Sequence, residues 1–161
     1  MSTRSNIVYN TGDSVRAVYC HHDGYLDHNG RILFDHYNSE DKVEALIELG
    51  DFTSLKPTIE ETRKKTMRSI SFESDRGFRT LDHYMHQVDG CDIEYIYLWD
   101  KYMWWVSRSI ALNLWNDTPR YEKGYKEWVF YHSKFEPLAQ ELAQWDFDNH
   151  KAYDRQKGRY V

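Results

Sequence analysis

Alternation with a period of two opens the chain. Ser5–Asn10 and Ser14–His22 are rich in Val, Ile, Tyr and Ala and flank Thr11-Gly12-Asp13, so the pattern predicts a β-hairpin around a glycine-containing turn. In the second run Val15, Ala17, Tyr19 and His21 share one face and Arg16, Val18, Cys20 and His22 the other, which sends two adjacent imidazoles to opposite sides of the strand end. The spacing then turns helical. Ile32, Leu33, His36 and Tyr37 line one side of a short helix over Arg31–Tyr37, and Asn38-Ser39 breaks it. Val43, Leu46 and Ile47 recur at helical intervals and predict a second helix over Glu40–Leu49 that ends at Gly50.

Thr58–Arg68 carries only Ile59 and Met67 as apolar residues and reads as an exposed helix or ordered loop. Ser69–Glu73 alternates as a short strand would, and Phe78–Val88 places Phe78, Leu81, Met85 and Val88 on one side of a helix. The strongest β signal follows: Ile93–Trp99, a turn near Asp100-Lys101, and Tyr102–Ser107. Both faces of the first of these runs carry bulk, so it belongs in the middle of its sheet. Trp104 and Trp105 point to opposite faces, which leaves one of them toward solvent. Trp99, Tyr102, Trp104 and Trp105 are therefore the candidate interface rings. Asn113–Lys126 reads as a loop, Glu136–His150 as a C-terminal helix with Pro137 in its first turn, and the last eight residues as a fraying tail. Together these elements predict a single α+β domain over residues 1–161, with an antiparallel sheet built from two hairpins and packed against several helices.

Composition sharpens that outline. A chain of 161 residues suits one domain, and 13 Tyr, 7 Phe and 6 Trp mean that its core and contact surfaces are built largely from rings. The net charge of −5, without a block of like charges, argues against a basic nucleic-acid footprint. No run approaches the roughly 18 apolar residues of a membrane span. Cys20 and Cys91 stand apart from any C-x-x-C pair, and MSTRSNIV lacks the apolar core of a signal peptide, so the expectation is a cytoplasmic protein with reduced thiols. Phosphate-cradling and nucleophile-elbow glycine motifs do not occur, and no cofactor is expected.

Chemistry concentrates in Tyr19–Tyr37, which packs four histidines and three acids around two glycines. His21, Asp23, Tyr25 and His36 form the candidate functional cluster. One reading makes His21, Asp23 and His36, joined by Asp27 or His28, the ligands of a zinc or iron ion that activates a water for hydrolysis of phosphodiesters or nucleotides. The spacing matches no H-E-x-x-H motif, and an EF-hand fails because Tyr25 and His36 fall where carboxylates are required. The other reading is architectural: Asp23 and Asn29 cap turns, His36 bonds a backbone carbonyl from the core face of its helix, and Tyr25 packs. His83 and His86 on their helix read as a solvated face, and Glu94 as either a buried acid or an edge residue.

Five segments resemble a group of small uncharacterised proteins of tailed phages and prophages: Thr3-Arg4-Ser5-Asn6-Ile7, Tyr19-Cys20-His21-His22-Asp23-Gly24-Tyr25-Leu26, Gly30 to Tyr37, Leu49-Gly50-Asp51-Phe52-Thr53-Ser54-Leu55 and Glu94-Tyr95-Ile96-Tyr97-Leu98-Trp99. His22 stands where that group carries Trp, and Leu26 where it carries Pro. The likeness covers residues 1–56 and 92–106, leaving 108–161 as a variable C-terminal part. It implies a phage-encoded, cytoplasmic accessory protein. With the excess of Trp and Tyr, residues that anchor interfaces, the expectation is a protein that binds a host protein without catalysis and inhibits or redirects it, as an anti-CRISPR or other anti-defence factor does. A second copy of the chain is the other partner to expect, and the metal-dependent hydrolase is the alternative function.

Overall fold

The computed structural model describes residues 3–67, 77–88, 93–113, 128–149, 153–154 and 159–160. Strands β1 (Ser5–Asn10) and β2 (Val15–Cys20) pair antiparallel, with Ser5 opposite Cys20 and Asn10 opposite Val15. Thr11 N donates to Ser14 O at 2.9 Å to close the turn, and Gly12 takes φ +94°, a backbone state that side chains disfavour. Strands β3 (Tyr95–Asp100) and β4 (Met103–Asn113) form the second hairpin, with Tyr95 opposite Arg108 and Asp100 opposite Met103. Each hairpin is antiparallel, as two strands joined by a short turn must be.

The hairpins meet through a parallel pairing of β1 with β3, Ser5 beside Tyr95 and Tyr9 beside Trp99, so the sheet is mixed rather than antiparallel throughout. The connection explains the difference. Among the described residues a π-helical turn and four helices intervene between β2 and β3, and a long helical crossover is what returns a chain parallel to an earlier strand. The sheet order is β2-β1-β3-β4-β5, with β5 (Trp128–His132) along the far part of β4 and the two-residue β6 (Glu136–Pro137) also pairing with β4.

Helices cover both faces. A π-helical turn at Leu26–Gly30 runs into α1 (Arg31–His36), followed by α2 (Glu40–Glu48) and α3 (Ile59–Arg63). Leu26, Leu33, Tyr37, Val43, Leu46 and Ile47 pack with Ile7, Tyr9, Val18, Tyr97, Trp99 and Trp104 on one face of the sheet. Helix α5 (Leu138–Asn149) adds Leu138 and Leu142 to the same core, so the C-terminal part is integral to the domain. On the other face α4 (Leu81–Val88) sets Tyr84 and Val88 against Val8, Val15, Ile96 and Leu98. One sheet serves both clusters, and β3 is central with both faces buried.

Differences from the pattern are local. Helix α4 starts three residues late because Phe78 exchanges two 2.7 Å backbone hydrogen bonds with Val15. Helix α5 starts at Leu138 because Glu136–Pro137 is taken up by β4. In the tail, Tyr153–Asp154 pairs with Arg159–Tyr160 instead of fraying. The expected strand at 69–73 and the loop beyond Asn113 lie outside the described residues.

The outer edge of β2 is blunted at both ends. Phe78 pairs with Val15, while Tyr19 N donates to the Asp51 carboxylate at 2.9 Å and Tyr19 O accepts from Phe52 N. Little free ladder remains there to recruit a foreign strand.

Candidate functional site

The histidine-rich stretch leaves the end of β2 and crosses the ends of β1 and β3. Its centre is Asn29, fully buried, whose Nδ2 reaches Ser5 Oγ at 3.2 Å, Cys20 Sγ at 3.3 Å and His22 O at 3.5 Å. Asn29 Oδ1 faces His28 Nδ1 at 2.9 Å, and its backbone N–H donates to Tyr25 O. Tyr97, fully buried on the middle strand, donates from its hydroxyl to Gly24 O at 2.6 Å. A Cβ on Gly24 would stand 2.8 Å from Ser5 Cβ and from Thr3 O, so only glycine lets this loop lie on β1. Burial pushes the Cys20 thiol up, against the hydrogen bond from Asn29 and the contact with His22 O.

The proposed ligands do not converge around that centre. His21 is half-buried, its Nδ1 sharing a 2.7 Å hydrogen bond with the Tyr19 hydroxyl and its ring edge-on to His22. Burial first, then the neighbouring charges of His22 and Arg4, hold its imidazole below the ordinary value. Asp23 is exposed and sits at φ +56°, its carbonyl accepting from Asn29 N at 3.3 Å. His36 points to solvent and not to the core, because Leu33 and Tyr37 take the buried side of α1. Tyr25 is 43% exposed with its ring against His28, so it does not pack into the core either. Among the described residues no group of three His, Cys, Asp or Glu is placed to hold a metal ion. Asn29, Ser5 and Tyr97 do the organising. The acids and histidines that made the stretch conspicuous lie around them.

The other candidate surface lies at the tip of the β3–β4 hairpin. Asp100 and Met103 are paired, which leaves a two-residue turn whose members, Lys101 at φ +52° and Tyr102 at φ +64°, both occupy the left-handed region. Two-residue hairpin turns favour that geometry, and Asn-Gly is the pair that adopts it at least cost. Here a tyrosine occupies the second place and is 80% exposed. Of the four rings expected to form an interface, Tyr102 alone is open. Trp99 and Trp104 are each only 4% exposed, packed edge to face with centroids 5.3 Å apart, and Trp104 Nε1 donates to Tyr37 O at 2.8 Å. They are core residues because their strand positions face α1 and α2. Trp105 faces α4, half-buried, and its Nε1 donates to Asp100 O at 3.1 Å.

Two adjoining hollows flank Tyr102. The larger, about 420 Å³, is lined by Phe34, Asp35, Asn38, Trp99, Tyr102, Met103 and Trp104. The smaller, about 180 Å³, lies between the two hairpin turns and is lined by residues including Asn10, Glu40, Asp100 and Lys101. Trp99 and Tyr102 line both, so the hollows read as one groove. Glu40 is fixed in its wall by a 2.6 Å hydrogen bond from the Tyr9 hydroxyl, whose pKa is raised by burial and by that carboxylate. Phe34 and Met103, 43% and 36% exposed, complete the apolar rim and were missed by pattern reasoning. A signal existed for Phe34: it is a large apolar residue off the Leu33/Tyr37 face of its helix.

No protein-family model, no curated protein and no solved structure matches this chain.

Proposed function

We propose that the chain is a non-enzymatic accessory protein that acts by gripping another protein at the hairpin-tip groove. The observation that carries this is Tyr102, a large ring held out into solvent on a left-handed backbone that tyrosine adopts only at a cost. Residues kept in strained states cluster where they serve recognition or catalysis. Tyrosine suits recognition, because it supplies much contact area with few torsions to freeze. The open neighbours Phe34 and Met103 extend that ring into a patch over a floor already rigidified by Trp99 and Trp104.

The biological setting is the one implied by residues 1–56 and 92–106: a phage-encoded protein in the cytoplasm of the host cell, inhibiting or redirecting a host factor such as a defence system. Among the described residues no helix is long and apolar enough to cross a membrane.

The test is purification from infected cells followed by reconstitution of the complex from pure components. The expected partner binds wild-type protein and His21→Ala alike and fails to bind Phe34→Ala or Tyr102→Gly. Recovery of the chain with no partner, or binding that depends on His21 and not on Tyr102, overturns the proposal.

A further inference from the structure

The groove is apolar on its floor and acidic on its walls. Asp35, Glu40 and Asp100 line it against one cation, Lys101, a local excess of two negative charges. Neither Asp35 nor Asp100 joins an ion pair among the described residues, whereas Asp27 and Asp146 are both committed to Arg31, and Glu141 to Arg108. Glu40 is held by Tyr9 and keeps its second oxygen for another donor. Carboxylates beside open aromatic rings accept cations through charge and through ring faces together. The same carboxylates repel phosphate, which disfavours a nucleotide stacked on Tyr102.

From these placements we infer that the groove receives a basic segment of the partner protein, in which an Arg or Lys meets the carboxylates and the Tyr102 face while an adjacent apolar side chain enters between Phe34 and Met103. The inference rests on the proposed function and names the chemistry of its partner. Its groove joins two hollows that share Trp99 and Tyr102, which suits an extended strand of the partner better than a broad flat surface.

The test is selection of a random displayed peptide library on the whole chain, with counter-selection on Tyr102→Gly. Enrichment of peptides that pair Arg or Lys with a neighbouring apolar residue is expected. A synthetic peptide of the enriched sequence should bind about tenfold more weakly to the Asp35→Asn/Asp100→Asn variant and lose affinity as salt is raised. Both asparagines are close in shape to the carboxylates, and thermal melting confirms that the variant folds. Enriched peptides that are neutral or acidic yet depend on Tyr102 overturn the basic partner while leaving protein binding at the groove intact. Basic peptides that bind Tyr102→Gly equally well overturn the site. An absence of any Tyr102-dependent peptide overturns this inference, and the reconstitution above then decides separately whether protein binding survives.

Discussion

The hydroxyl of Tyr97 donates a 2.6 Å hydrogen bond to the carbonyl of Gly24, tying the middle strand to the loop that carries His21, His22 and His28. Tyr97 and Gly24 are both buried, so water does not readily replace this bond. Tyr97→Phe leaves the ring in place and the carbonyl unpaired, which costs about 1–3 kcal/mol. In a domain of this size each kcal/mol lowers the melting temperature by roughly 2–4 °C. Calorimetric melting of the variant beside wild type checks this.

Cys20 is fully buried beneath Asn29, and burial raises its pKa, so its thiolate is scarce at neutral pH. In a Cys91→Ser background, a thiol-reactive chromogenic disulfide should label the folded chain slowly and label it fully on addition of guanidinium. Rapid labelling of the folded chain contradicts the packing of Asn29 over the sulfur.

Asp51 is 8% exposed, and its pKa is raised by desolvation, against the lowering effect of the hydrogen bond from Tyr19 N. A carboxyl whose folded pKa lies above its unfolded value binds its proton more tightly in the folded state. Its contribution is fully present below the unfolded pKa and is lost as the pH rises through the folded one. Wild type should therefore lose stability relative to Asp51→Asn as the pH climbs from the ordinary carboxylate range toward neutrality. Urea titrations of both proteins at acidic and neutral pH give the difference, and a wild type that gains stability relative to Asp51→Asn as the pH rises contradicts it.

Tyr102→Gly should stabilise the chain. Relief of the left-handed conformation is worth about 1–2 kcal/mol, and the greater freedom of an unfolded glycine offsets about 0.5–1 kcal/mol of it. A side chain 80% exposed takes little packing with it. The expected net gain is up to about 1.5 kcal/mol in urea denaturation, and a loss of stability contradicts the strain.

Periodicity made the two hairpins, α2 and the central place of β3 legible, because Val43, Leu46, Ile47 and the alternating rings of β3 report their own burial. It did not show that β1 and β3 run parallel, since alternation is the same for either direction. At the chemically dense stretch, residue types drew attention to His21, Asp23 and His36, whereas the burial of Asn29 and Ser5 was invisible because small polar residues look like loop residues in sequence. Trp99 and Trp104 looked adhesive for the converse reason. A tryptophan announces an interface or a core with equal force, and only the packing of α1 and α2 decides between them. The left-handed turn at Lys101-Tyr102 was hidden because neither residue is one that favours it.

The most direct test of the account is a calorimetric titration of the reconstituted partner into wild type, His21→Ala and Tyr102→Gly. The account predicts equal affinity for the first two and a loss of at least about tenfold, near 1.4 kcal/mol, for the third even though it is the more stable protein. Undiminished binding by Tyr102→Gly, together with lost binding by His21→Ala, would contradict it and return recognition to the histidine-rich loop.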